Sequence, residues 1–166
     1  MKKLFRFFSY IKIGEYMKIE VIDKNNIFVF INRSYLDEED LKDKDNVILT
    51  VKDFMQVYKN KLHLRGFYKV KVYLNRNIGM FLDIIRLEEV ELSNVVDLRV
   101  IVNMNDKIYF ETDDYFILPS DATIYYYNNK FYCDVSFIDN VLDIVEFGRF
   151  LYGDRLLDIL DCAKVV

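Results

Sequence analysis

Polar turns centred on asparagine recur along this chain, each set between two short runs in which apolar and polar residues alternate. Residues 19–22 and 27–31 flank Asp23-Lys24-Asn25-Asn26, and residues 67–74 and 78–85 flank Asn75-Arg76-Asn77. Residues 98–102 and 107–111 flank Asn103-Met104-Asn105-Asp106, and residues 123–127 and 131–135 flank Asn128-Asn129. Asparagine tolerates the positive φ that tight hairpin turns need, so each motif predicts a β-hairpin with a mechanism behind it. The alternation agrees: Tyr68, Val70, Val72 and Leu74 fall on one face of a strand, Lys69 and Lys71 on the other.

Helix signals lie between the hairpins. Thr50 is placed to cap a helix, with Asp53 three residues on and Leu49 and Phe54 at the two staple positions. Phe54, Met55, Tyr58 and Leu62 then recur at helical spacing. Leu36, Asp37, Asp40 and Leu41 repeat the cap-and-staple pattern over one turn. Ser136, with Asp139, predicts a third helix that buries Ile138, Val141, Leu142, Val145 and Phe150 or Leu151. Asp139, Asp143, Glu146 and Arg149 lie on its outer face, and it should end near Gly153. Asp154 is expected to cap a short final helix through Leu160, with a closing strand over 164–166.

Hairpins and helices arranged in blocks, without βαβ alternation, indicate an α+β fold with mostly antiparallel sheet. The expected organisation is a basic tail or over-extended start at 1–16, a subdomain over 17–90 and a second over 91–166, or one domain spanning both. The boundary falls near 87–94, where Glu88, Glu89 and Glu91 gather. With one Pro and five Gly there is no flexible linker, so two subdomains would be closely joined.

Composition removes several classes. A chain of 166 residues, 52% hydrophobic and 16% aromatic, is neither disordered nor collagen-like. Two cysteines, Cys133 and Cys162, and one histidine make neither a zinc ribbon nor a disulfide scaffold. A net charge of −4 argues against sequence-independent binding to nucleic acid phosphates. No apolar run approaches the ~20 residues of a membrane-spanning helix. Arg6 and Lys12 interrupt any signal-peptide core, so the expected address is cytoplasmic, with reduced cysteines. Residues 1–16 carry Lys2, Lys3, Arg6 and Lys12 against Glu15, interleaved with Leu4, Phe5, Phe7, Phe8, Tyr10, Ile11 and Ile13. Two readings stand for them: a loose tail, or a basic amphipathic segment lying on a membrane surface through Lys2, Lys3, Phe5, Arg6 and Phe8.

The chemistry-bearing residues do not assemble into a catalytic pattern. His63 is expected on the surface near a helix C-terminus, where the dipole favours it. Counting a calcium loop from Asp43 puts Val47 at the fifth ligand position and Ile48 where the turn needs glycine, so that reading fails. The glycines never form GxGxxG or GxxxxGK. Asp113-Asp114 reads as a loop-forming pair, Cys133 as a small core hydrophobe on a strand, and Cys162 lacks basic neighbours that would activate it. No catalytic residue, metal or cofactor is therefore assigned. The densest aromatic cluster is Tyr125-Tyr126-Tyr127-Asn128-Asn129-Lys130-Phe131-Tyr132, read first as cross-strand packing and second as a protein contact.

That hairpin, the amphipathic helix expected after it, Glu146-Phe147-Gly148, and Leu160-Asp161-Cys162-Ala163-Lys164-Val165-Val166 together resemble the C-terminal domain of MecA-type adaptor proteins. That domain has a tyrosine-rich hairpin ending in K-(F/Y)-Y, a helix, an E-(F/Y)-G element and a last helix closing on G-K-hydrophobic. Here Ala163 stands in place of that glycine. Lys18-Ile19-Glu20, then Asn26-Ile27-Phe28-Val29-Phe30-Ile31 and an acidic turn, are similar to the family's N-terminal strand–strand–helix. The charged linker typical of the family is absent or very short. The resemblance implies a non-enzymatic adaptor whose C-terminal domain engages a Clp-type unfoldase and whose N-terminal part recruits a substrate. The candidate contact residues are Tyr126, Tyr127, Lys130 and Tyr132 of the hairpin, with Glu146 and Arg149 on the polar face of the following helix. The alternative is a peripheral membrane protein held by residues 1–16.

Overall fold

The computed structural model describes residues 17–88, 96–104, 107–138 and 141–166, so both readings of residues 1–16 lie outside the described residues. The chain forms an α+β, mostly β fold and divides into two compact units, Met1–Met104 and Asn105–Val166. The first holds a five-stranded sheet in the order β1-β2-β4-β3-β5: β1 (Met17–Asp23), β2 (Asn26–Asn32), β3 (Gly66–Asn75), β4 (Gly79–Glu88) and β5 (Val96–Asn103). The first two expected hairpins form in register, with Asp23 opposite Asn26 and Asn75 opposite Gly79.

The third expected hairpin does not form. β5 adds to β3 in parallel, Val70 opposite Val100, while the strand after it, β6 (Tyr109–Thr112), is the penultimate strand of the second sheet. The reason is burial. Val96, Leu98, Val100 and Val102 alternate towards the first core, whereas all four residues of β6 are buried. The division between units accordingly falls after Met104. Most of the 87–94 stretch lies outside the described residues.

Helix α1 (Lys44–Tyr58) covers one face of this sheet. Its cap lies seven residues before the expected Thr50, because Asp43 takes that place and accepts from the Asn46 N–H at 2.9 Å. Thr50 is interior and buried, its hydroxyl donating to the Asn46 carbonyl at 2.9 Å. Val47, Val51, Phe54, Met55 and Tyr58 form the buried stripe against Val29, Ile31, Val70, Val72, Leu82 and Ile84. The one-turn signal is met in part: the Asp40 carboxylate accepts from the Asp37 N–H at 3.0 Å and Leu36 and Leu41 are both buried, but the 3-10 turn Glu39–Leu41 starts from Glu38, whose side chain makes no cap, in place of Asp37.

The chain leaves α1 through a Schellman closure, Leu64 N–H to the Lys59 carbonyl at 2.8 Å and His63 N–H to the Asn60 carbonyl at 3.3 Å. His63 is exposed and sits at φ 53°, the left-handed position that glycine usually fills. Its place is thus set by backbone geometry. His63→Gly is expected to stabilise the chain by about 0.5–1 kcal/mol in thermal unfolding, since it removes the Cβ penalty. A lower midpoint would show that the imidazole makes a contact worth more than that relief.

The second unit has the strand order β10-β7-β8-β6-β9: β7 (Ile124–Tyr127), β8 (Lys130–Asp134), β9 (Gly148–Leu151) and β10 (Lys164–Val165), with helix α2 (Asp154–Cys162) on one face. The Asn128-Asn129 turn has φ of 51° and 63°, the type of two-residue turn expected from that pair. β10 closes the sheet on β7 as expected, and the Val166 N–H reaches the Ile124 carbonyl at 2.8 Å. The helix expected after Ser136 is absent. Short 3-10 turns at Val135–Phe137, Val141–Asp143 and Val145–Phe147 lead instead into β9. Asp134 is the cap, accepting from the Ser136 N–H at 2.9 Å, and Gly148 opens a strand on the free edge of β6. Ile138, Val141, Val145, Phe150 and Leu151 are nevertheless buried as their spacing indicated, and Asp139 lies outside the described residues. Gly153, expected beyond a helix end, precedes α2 as its cap with φ 70°.

Candidate functional site

The register of the second sheet places Tyr125, Tyr132, Glu111 and Arg149 directly opposite one another across β7, β8, β6 and β9. Because side chains alternate along each strand, all four share a face. At one end of that face Tyr109, Tyr125, Tyr132 and Leu151 are packed by Leu156, Ile159 and Leu160 of α2. At the other end the next rung carries Tyr127 opposite Lys130, whose ammonium lies 2.6 Å from the Asp113 carboxylate. Between the sheet and α2 opens a cavity of about 310 Å³, lined in part by Tyr127, Lys130, Tyr132, Arg149 and Arg155.

Glu111 organises this face. Its carboxylate is buried and accepts from Arg149 Nε at 2.6 Å and Nη2 at 3.4 Å, and from the Tyr132 hydroxyl. Burial raises the Glu111 carboxyl, yet the hydrogen bonds from Arg149 and Tyr132 and the charges of Arg149 and Lys130 outweigh it and hold the group below its ordinary value. Burial, with the bond and charge of Glu111, pushes the Tyr132 phenol far up. A carboxylate held low stabilises the fold above its ordinary range, and that contribution is lost as pH falls through its folded value. Acid unfolding near and below pH 4.5 should therefore flatten in Glu111→Gln, at a cost on the order of 1–2 kcal/mol at neutral pH, moderated because Arg149 is half exposed. An unchanged acid limb would remove Glu111 from this role.

The sequence-assigned residues separate into groups. Tyr127, Lys130, Tyr132 and Arg149 converge on one face. Tyr132 is only 2% exposed and anchors the sheet, so it is a support and not a contact. Tyr126 is exposed on the opposite face, where its hydroxyl donates to the Asn129 side chain at 2.9 Å. Glu146 is exposed on a 3-10 turn and not on a helix face, and Arg149 projects from a strand. Sequence reading missed Glu111, which lies on a strand of the hairpin that does not form, and Arg155 and Asp158 of α2. The alternation of β8 with a carboxylate-bearing apolar strand was the available signal for Glu111.

Cys133 is buried, and burial with the charges of Asp134 and Asp121 pushes its thiol up to about 11. Asp113 and Asp114 form no dyad: the first pairs with Lys130, and the second caps the 3-10 turn Tyr115–Ile117 by accepting from the Phe116 N–H at 3.0 Å. Among the described residues no group of His, Cys, Asp and Glu is arranged to hold a metal ion, and no helix is long and apolar enough to cross a membrane. Comparison with protein-family models, curated proteins and solved structures finds no match to this chain.

Proposed function

We propose that this chain is a cytoplasmic, non-enzymatic adaptor that acts by protein–protein contact, with its second unit docking on a Clp-type unfoldase. The observation that carries the reading is the β7–β8 hairpin. Tyr126 and Tyr127 stand 37% and 38% exposed at its tip, while its base is pinned through Tyr132 to the buried Glu111 carboxylate, which also holds the half-exposed Arg149. A rigid aromatic tip beside an ordered arginine combines the residue types that anchor interfaces, and ordering it costs little on binding. The Clp-type partner comes from the resemblance of residues 122–166 to MecA-type adaptors.

The test is direct binding of the full chain to a purified Clp-type unfoldase. Tyr127→Ala should weaken binding about 30-fold or more with an unchanged melting midpoint, because the side chain is exposed. Absence of binding by the unaltered chain overturns the adaptor reading. Sedimentation with anionic liposomes, reduced by salt and lost in a chain starting at Met17, would support the membrane-surface reading in its place.

A further inference from the structure

The other face of the second sheet ends in a row of aromatic rings. Its interior part, Ile124, Cys133, Phe110 and Phe150, lies across four strands and is buried. The next rung carries Tyr126 and Phe131, whose centroids are 5.2 Å apart. Phe131 meets Tyr115 edge-on at 5.4 Å, and Tyr115 meets Phe116 at 5.8 Å. Phe116 is 91% exposed, the most exposed large hydrophobic among the described residues. A lone exposed phenylalanine carries no message, but a connected strip that continues a core face outwards marks a contact surface.

The charge beside the strip has one sign. Residues 113–121 contain Asp113, Asp114 and Asp121 and no lysine or arginine. Lys130 neutralises Asp113 at 2.6 Å, which leaves Asp114 and Asp121 in excess. Asp121 lies close enough to this face for its charge to be among those that raise the Cys133 thiol. Aromatic faces attract guanidinium groups, and unbalanced carboxylates add a second attraction of the same sign.

We infer that the strip Tyr126–Phe131–Tyr115–Phe116, bordered by Asp114 and Asp121, docks an arginine-bearing apolar segment of a partner protein. Arginine stacks on the rings and faces the carboxylates, and the apolar side chains of the segment cover Phe116. The inference rests on the reading of this chain as a protein-interaction module and specifies the chemistry of one partner surface.

The probe is a short peptide alternating arginine and leucine, titrated into the full chain and followed by amide NMR, with a glutamate–leucine peptide as control. Shifts should concentrate at 113–117, 126 and 131, and affinity should fall as salt rises. Phe116→Ala should weaken binding about tenfold without moving the melting midpoint, and because it leaves net charge unchanged it separates stacking from bulk attraction. Equal binding of the glutamate peptide, shifts elsewhere, or full affinity in Phe116→Ala overturns the inference. Specific peptide binding by a chain that ignores the unfoldase keeps this surface and discards the Clp partner. Unfoldase binding with no peptide response does the reverse.

Discussion

Gly79→Ala is expected to cost the first unit about 3 kcal/mol or more, enough to leave much of the chain unfolded at ambient temperature. Gly79 opens β4 between Asn32 and Asn75, at φ 143°, where residues with a side chain rarely sit. A Cβ there would stand 2.1 Å from the Ile31 carbonyl oxygen and 2.9 Å from the Arg33 nitrogen. Both are backbone atoms, the first near the end of β2 and the second in the turn that follows it, and the Arg33 N–H is held by the Ile78 carbonyl at 2.8 Å, so neither can yield cheaply. Strain and steric conflict therefore add, which places the substitution in the severe tail of point mutations. Urea unfolding of Gly79→Ala beside Asn77→Ala, an exposed position in the same turn, measures it. A Gly79→Ala midpoint within about 1 kcal/mol of the unaltered chain would mean that β2 and β4 can separate at this corner without loss.

Gly148→Ala should have a comparable effect on the second unit and should disable the candidate site as well. Here φ is extended, so the argument is purely steric: a Cβ would lie 2.0 Å from the Glu111 carbonyl oxygen and 2.7 Å from Phe110 Cζ. Gly148 faces Thr112 in the β6–β9 ladder, and the Thr112 hydroxyl donates to the neighbouring Phe147 carbonyl at 2.8 Å. The strand must move off β6 to make room, and Arg149 moves with it, away from Glu111. A loss of about 3 kcal/mol is expected, with disappearance of the hydrogen-bonded Arg149 Nε–H signal in NMR. Retention of that signal at normal stability would show that β9 accepts the methyl group in place.

The two substitutions bear on how much could be read in advance. Three of the four hairpin turns, the buried side of β3 and the burial of Ile138, Val141 and Val145 were legible, because turn chemistry and side-chain spacing act between near neighbours. The element carrying those last residues was not: the same spacing serves a helix or a succession of 3-10 turns, and Asp134 holds the cap that Ser136 was expected to provide. Tyr127, Lys130 and Arg149 line one cavity, but Arg149 reaches it from a strand and not from the expected helix, and their organiser, Glu111, sat in a strand assigned to the wrong partner.

What the sequence by itself determined is local and nearest-neighbour in origin: the Asn128-Asn129 turn, the turn between buried Leu36 and Leu41, the alternation of β3 and the burial of Phe54, Met55 and Tyr58 on α1, while Leu62 falls beyond that helix. What only the tertiary structure decided is pairing at a distance. β5 joined β3 in parallel, and β9 brought Arg149 to a carboxylate 38 residues earlier in the chain. Such pairings are chosen by competition among all the sheet edges and apolar faces at once, and each strand can satisfy its own alternation against several partners. The arrangement adopted buries the interior strands of both sheets and satisfies Glu111, a condition that no single segment contains.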